Sequence, residues 1–144
     1  MSRAIALSGA SGLLGSAMAP ALAAAGWQVK PLVRRAPGPG EIRWDPAAGT
    51  IDASALAGVS AAVHLAGESI AEGRWTPARK ARIRSSRILG TRLLSESLAR
   101  LPVRPEVLVS ASAVGIYGDR GDELLDENSP LGTDFLAEVG KEWE

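Results

Sequence analysis

Apolar and polar positions along the chain fall into short continuous runs separated by stretches of helical period. Ala4-Ile5-Ala6-Leu7, ending at Ser8, is apolar without alternation, as a strand covered on both faces should be. Leu14, Met18, Ala21, Leu22 and Ala25 then recur at helical spacing, with Gly26 suited to close the helix and Pro20 expected to kink or open it. Gln28 to Val33 predicts a second strand with Trp27 at its entrance, and Glu41 to Trp44 a short third one, followed by Asp45-Pro46 and a turn around Gly49. Ala53 to Leu56 suggests a short helix, and Val59 to Gly67 a fourth, buried strand that ends in a glycine turn. Thr76-Pro77 is a good helix start, and Ile83, Leu89, Leu93, Leu94, Leu98 and Leu101 give the long helix after it an apolar stripe. Val107 to Ala111 reads as a fifth strand, Asp119 to Gly132 as an acidic loop, and Leu136 to Glu144 as the beginning of another helix.

Strands alternating with helices predict an α/β fold, a Rossmann-type doubly wound parallel sheet of about five strands with right-handed crossovers. Residues 1–144 are expected to form a single domain. Ligands of such sheets sit beyond the carboxyl ends of the strands, where Ser8-Gly9, Arg34, Trp44-Asp45, Ala66-Gly67 and Ser110 to Ser112 all fall. The first of these ends opens the run Gly9-Ala10-Ser11-Gly12-Leu13-Leu14-Gly15, a strand–glycine turn–helix passage suited to a phosphate-bearing cofactor. Gly9 can take the tight turn, Gly12 leaves room for a pyrophosphate, and Gly15 allows the helix to pack closely on the strand. The spacing is G-x-x-G-x-x-G rather than G-x-G-x-x-G.

The second strand indicates which dinucleotide is meant. NAD enzymes of this architecture carry an acidic residue about 20 positions past the glycine loop, where it bonds the ribose 2′-hydroxyl. Here that strand ends in Val33-Arg34-Arg35, and no acidic residue lies between Gly15 and Glu41. A carboxylate would repel a 2′-phosphate, whereas a guanidinium can grip it with a forked pair of charged hydrogen bonds. NADP is therefore expected ahead of NAD, with Arg34 the stronger candidate and Arg35 readable also as a solvated surface residue.

Composition removes several other chemistries. Sixteen basic and sixteen acidic residues leave no net charge to draw the chain to nucleic acid or a membrane surface. With no cysteine there is no disulfide framework, thiolate nucleophile or thiolate-bound metal, and one histidine, His64, rules out a multi-histidine metal site. His64 lies in an apolar strand and reads as a structural residue. Asp119, Asp122, Glu123, Asp126 and Glu127 read as a solvated lid or edge rather than a metal site. No secretory signal is visible, and no run approaches the ~18 apolar residues of a membrane span. The expectation is a soluble, cytoplasmic protein. Arg74, Arg79, Lys80, Arg82, Arg84, Arg87 and Arg92 form a basic run with no acid between Glu72 and Glu96. Such a run could bind nucleic acid or an acidic partner. With only Trp75 interleaved, it reads better as a solvated helix face or a homodimer surface.

Gly9 to Gly15, Val63-His64-Leu65-Ala66-Gly67 and Ser110-Ala111-Ser112-Ala113-Val114-Gly115-Ile116-Tyr117-Gly118 together resemble the extended short-chain dehydrogenase/reductases. His64 to Ala71, Arg74-Trp75-Thr76, Ser86-Arg87 and Trp143-Glu144 are similar to an atypical, epimerase-like branch whose members are described as nucleoside-diphosphate-sugar epimerases. The resemblance runs the length of the chain. It implies that Gly9, Ser11, Gly12, Leu13, Leu14 and Gly15 face the cofactor phosphates and that Arg34 and Arg35 stand at the NADP-selecting positions. It also implies that Trp44 and Asp45 wall the adenine, and that Leu65, Ala66, Gly67 and Glu68 run beside the riboses, with Arg74 near the cofactor. A small-molecule substrate, such as a sugar nucleotide, is implied too. Family members carry a further C-terminal substrate portion, so this stretch matches their cofactor-binding half and is expected to be inactive alone.

In the superfamily a tyrosine is the general acid/base of hydride transfer. A lysine four residues later lowers its pKa and binds the nicotinamide ribose, and a serine or threonine polarises the substrate carbonyl. A phenol with pKa near ~10 needs such a cation to act as a base at neutral pH. Lys141 matches the lysine, but the residue four before it is Ala137, which cannot transfer a proton. Tyr117 could substitute as acid/base or simply line the substrate. Ser112 best matches the catalytic serine, with Ser110 second and also a candidate cofactor neighbour; either hydroxyl could instead satisfy backbone groups at a strand end. The missing tyrosine equally favours a protein that binds NADP without turnover, as a sensor or scaffold.

Overall fold

The computed structural model describes residues 3–144. Its strands are β1 (Ala4–Ser8), β2 (Gln28–Val33), β3 (Ile42–Asp45), β4 (Thr50–Ile51), β5 (Val59–His64) and β6 (Val107–Ser110). They join in one sheet in the order β4-β3-β2-β1-β5-β6. Every neighbouring pair is parallel except β3 and β4. The chain winds outward from β1 to β4, then returns to lay β5 on the other side of β1. That reversal is the topological switch point at which α/β sheets place their ligands.

The expected parallel sheet is thus corrected by one antiparallel edge. The turn around Gly49 is the tip of a hairpin that folds Ile51 back beside Trp44. Asp45 Oδ1 accepts the Ala47 and Ala48 N–H groups at 3.1 and 3.2 Å, and Gly49 takes a φ of 67°. A two-residue strand carries no period of its own, so its pairing follows from this turn.

The helices are α1 (Leu13–Ala24), α2 (Ala53–Leu56), α3 (Pro77–Ala99) and α4 (Phe135–Trp143). Alternation along β1 sends its side chains to two cores. Ala4 and Ala6 meet Leu94 and Leu98 of α3 together with Ile42, Trp44 and Leu56. Ile5 and Leu7 meet Met18, Ala19 and Leu22 of α1. The α1 stripe differs from the periodic expectation, because Leu14 is 64% exposed and Ala21 and Ala25 face solvent. Gly15 sets the helix's rotation instead: a Cβ there would stand 2.1 Å from the Gly9 carbonyl oxygen. Pro20 neither breaks nor opens the helix; it sits on the exposed side, where its missing N–H costs one ladder bond. On α3, Thr76 caps the N-terminus by accepting the Arg79 N–H at 3.2 Å, with Pro77 at the first position. Ile83, Leu94 and Leu98 are buried, while Leu89 remains 40% exposed.

The chain divides into two compact units, the first ending at Ser110 and the second spanning Ala111–Glu144. In the second, α4 lies on a short 3-10 helix, Val114–Tyr117, where Gly140 lets the backbones approach. A Cβ at Gly140 would come within 3.0 Å of Ile116 Cγ1. Asp134 caps α4 through the Ala137 N–H at 2.9 Å. The acidic loop is exposed and held by its own polar groups: Arg120 forks onto Glu123 at 2.8 and 2.7 Å and donates to the Pro130 carbonyl at 3.1 Å. Among the described residues, no helix is long and apolar enough to cross a membrane.

Candidate functional site

A cleft of about 1120 Å³ opens at the switch point, beyond the carboxyl ends of β1, β2, β3 and β5. Gly9, Ser11 and Gly12 line it from the glycine turn, Arg34 and Arg35 from the end of β2, and Trp44 and Asp45 from the end of β3. Leu65, Ala66, Gly67 and Glu68 complete the opposite wall after β5. Four separated stretches of sequence are thereby brought to one cavity.

Gly9 makes the turn with φ 70°, and a Cβ on it would stand 2.9 Å from the Leu65 carbonyl carbon. Its carbonyl accepts the Gly12 N–H at 3.0 Å, closing the loop. Gly12 then begins α1 without a side-chain cap, and the first turn of the helix has no acidic residue. Leading N–H groups and the positive end of the helix dipole are left for an anion at the bare backbone of Gly12. These residues fit a pyrophosphate. Gly15 is buried and serves the packing of α1 on the turn, whereas Leu13 and Leu14 point away to solvent, 90% and 64% exposed. Neither these three nor Arg74 and Ser110 are on the cleft wall.

The two arginines after β2 have different environments. Arg35 closes on Glu41, with Nη1 2.6 Å from Oε2 and Nη2 2.5 Å from Oε1. The Gly38 N–H adds a third donor to the same carboxylate at 2.7 Å. The Arg35 hydrogen bonds, followed by the Gly38 N–H, hold the Glu41 carboxyl below the usual carboxylate range. Arg34, by contrast, lies exposed at the cleft mouth and makes no hydrogen bond or ion pair among the described residues.

Helix α3 supplies a wall that motif reading did not assign to the site. Arg79, Arg82, Ser85, Ser86 and Leu89 all line the cleft, with Glu72 from the loop before the helix. Arg82 Nε donates to Glu68 Oε1 at 3.2 Å, and Ser86 Oγ accepts the Glu68 N–H at 3.0 Å. Arg79 Nη2 donates to the Ser69 carbonyl at 2.7 Å, and Arg87 Nη1 to that of Glu68 at 2.9 Å. Burial pushes the Arg87 pKa down, against the opposing pull of Glu68. Part of the basic run is therefore turned inward to brace the 67–69 loop. The signal was present in the spacing of Arg79, Arg82 and Ser86, which share one helical face.

Ser112, Tyr117 and Lys141 belong to the second unit. Ser112 Oγ donates to a Glu144 carboxylate oxygen. Lys141 Nζ donates to Glu138 Oε1 at 2.8 Å, one turn earlier on α4. Tyr117 ends the 3-10 helix, half-buried, and Ala137 is buried on α4.

The family described as the NAD dependent epimerase/dehydratase family matches residues 5–135. An epimerase family protein of Mycobacterium bovis is 45% identical over 141 residues, which cover 97% of this chain and 46% of that protein. The solved nucleoside-diphosphate sugar epimerase of Corynebacterium glutamicum superposes with a TM-score of 0.82 at 40% identity, covering 99% of this chain and 30% of that one. Human epimerase family protein SDR39U1 (isoform2), solved with NADPH, gives a TM-score of 0.83 at 31% identity, covering 97% of this chain and 47% of that one. The chain spans about half the length of the curated relatives it matches.

Proposed function

Since the chain belongs to the NAD dependent epimerase/dehydratase family, we propose that its cleft binds a nicotinamide dinucleotide and prefers NADP(H) to NAD(H). One observation carries the preference: Arg34 stands on the cleft wall after β2 with no hydrogen bond or ion pair among the described residues, while Glu41 on the same wall is neutralised by Arg35. A 2′-phosphate there would meet a forked donor, with the Glu41 charge already compensated. The human relative solved with NADPH supports the same choice. The pyrophosphate would lie on Gly12 and the N-terminus of α1. The adenine would lie by Trp44 and Asp45, and the riboses along Leu65 to Glu68. Bound nicotinamide supplies a centre that accepts or donates hydride. Fluorescence titration, with Trp44 on the cleft wall as reporter, tests this reading: NADPH should bind at least about tenfold more tightly than NADH, the worth of one charged hydrogen bond. Equal affinities would overturn it.

Beyond binding, the proposed activity is that of an epimerase-like oxidoreductase acting on a sugar nucleotide or another small carbonyl or hydroxyl compound. The fold likeness to a nucleoside-diphosphate sugar epimerase supports this class. Ser112 would polarise the reacting oxygen, Tyr117 would exchange its proton, and Lys141 would bind the nicotinamide ribose. The present stretch alone should bind cofactor without steady-state turnover. Ala137 favours a second reading, in which the protein at its natural length senses or scaffolds through NADP occupancy. NADPH consumption by the natural-length protein across a panel of carbonyl compounds and sugar nucleotides separates the two.

A further inference from the structure

Ser8 is fully buried at the carboxyl end of β1 and lies level with His64 in the β1–β5 register. Its hydroxyl oxygen stands 3.0 Å from Leu65 N, 3.2 Å from Ala66 N and 2.6 Å from His64 Nδ1. The two amides can only donate, and the Leu65 N–H, shared with the Ser8 carbonyl at 3.4 Å, lies nearer the hydroxyl, so between them they take that oxygen's two lone pairs. The one hydroxyl proton is left for the imidazole, and Ser8 donates to Nδ1. A neutral ring with Nδ1 bare carries its proton on Nε2, which donates to Thr91 Oγ1 at 3.0 Å on α3. The relay therefore has one direction, from Ser8 through His64 to Thr91. Burial, which depresses the His64 pKa to about 4, keeps the ring neutral as this direction requires.

The amides that Ser8 holds belong to the wall of the cleft. Leu65 and Ala66 face the glycine turn across a backbone contact so close that a Cβ on Gly9 would lie 3.0 Å from Ala66 N. A proton on Nδ1 would present a third donor to the Ser8 oxygen and displace one amide. We propose that His64 and Ser8 are positioning residues of the cofactor cleft: by accepting the Ser8 proton, His64 keeps the Ser8 oxygen turned to the Leu65 and Ala66 amides and so sets the gap between the two backbone lips. The link to cofactor rests on the reading that this cleft takes a nicotinamide dinucleotide; the link to the loop does not.

The test compares His64→Leu, which removes the acceptor, with His64→Asn, whose Oδ1 replaces Nδ1, in the protein at its natural length. His64→Leu should weaken NADPH about tenfold or more, the effect of leaving a buried donor unpaired, and His64→Asn should restore most of the affinity. Amide exchange at Leu65 and Ala66 should quicken by a similar factor in His64→Leu, relative to Leu32 in β2, and return in His64→Asn. Long-range 15N correlation of the unsubstituted protein should show a neutral ring protonated on Nε2. An Nδ1-protonated ring, or exchange that quickens uniformly across the sheet, would overturn the proposal. So would unchanged NADPH affinity in His64→Leu. If the unsubstituted protein binds no nicotinamide dinucleotide, the function proposed above fails, and the exchange and tautomer readouts still decide the relay.

Discussion

Arg35 spends both prongs of its guanidinium on Glu41, at 2.6 and 2.5 Å, within the loop that leads from β2 to β3. The neighbouring Arg34 lines the cleft with no hydrogen bond or ion pair among the described residues, while the Glu41 carboxylate on the same wall is already compensated. On the proposed reading, these two adjacent arginines would divide the selection of a 2′-phosphate, Arg34 by contact and Arg35 by masking the Glu41 charge.

Arg34→Ala should weaken NADPH by about 1–3 kcal/mol, with a much smaller loss for NADH, as expected for a charged hydrogen bond to a group only one cofactor possesses. Arg35→Ala should also weaken NADPH, but by unmasking Glu41. The double substitution Arg35→Ala with Glu41→Gln should then recover affinity. Paired titrations with NADPH and NADH check both points, and an equal loss for the two cofactors in Arg34→Ala would remove Arg34 from the 2′-phosphate site.

Gly12 and Gly15 should separate binding from stability. A Cβ at Gly15 would stand 2.1 Å from the Gly9 carbonyl oxygen and 2.7 Å from Ala10 Cα, both backbone atoms with little freedom to yield. Gly15→Ala should therefore destabilise the protein by about 2–3 kcal/mol or more, as overpacking does. At Gly12 the nearest contact is 3.3 Å, and the methyl would project where the backbone lines the cleft. Gly12→Ala asks the Gly9 carbonyl oxygen to give by only a few tenths of an ångström, so it should lower the melting temperature far less than Gly15→Ala while weakening NADPH. Thermal melts with and without cofactor give both readings.

The order of the elements was legible because the strands are short and bounded by turn residues, and β1 and β5, both interior to the sheet, are buried. Ala4 to Ser8, Gln28 to Val33 and Val59 to His64 each fall within an apolar or β-favouring run. The glycine turn, Arg34 and the strand ends at Trp44 and Leu65 could be placed at one cleft for the same reason. What the pattern did not give depends on pairing and rotation. The strand Thr50–Ile51 exists through the Asp45 turn and its pairing with Trp44. The face of α1 follows from Gly15 against Gly9, a contact between two residues that carry no hydrophobic signal. Arg79, Arg82 and Arg87 read as part of a solvated basic face; their spacing puts Arg79 and Arg82 on one side of α3 with Ser86, but their use follows from the return of the 67–69 loop onto that helix.

Burial of His64 predicts a pH dependence of stability. Its folded pKa, about 4, lies below the 6.5 of a free imidazole because burial penalises the charged ring. Between these values the unfolded chain binds the proton and the folded protein does not. The contribution is thus complete above about pH 6.5 and is lost as pH falls towards 4, with a limiting slope of about 1.4 kcal/mol per pH unit. Denaturant melts from pH 7 to pH 4 should show this slope in the parent, and His64→Asn should flatten it. Glu41 and Asp52 are held below their usual range, so their own losses fall mainly at lower pH and leave the difference between the two proteins readable.

Tyr117→Phe tests the acid/base role proposed for the phenol. Tyr117 is the chain's one tyrosine, and the superfamily's position four residues before the lysine is filled by Ala137, which is fully buried. If the protein at its natural length reduces or epimerises a substrate, a proton must be exchanged with the reacting oxygen, and a phenol is a group able to do so. Tyr117→Phe keeps the ring and removes the hydroxyl. In an enzyme that uses it, kcat should fall by about 100-fold or more while NADPH affinity stays within about twofold, the division expected of a group that acts only in the transition state. Lys141→Met should instead weaken cofactor binding as well as turnover, since a ribose-binding cation contributes to both. Unchanged turnover in Tyr117→Phe would take the phenol out of the chemistry. NADPH binding without turnover in the unsubstituted protein would leave the cleft as a sensor of cofactor occupancy.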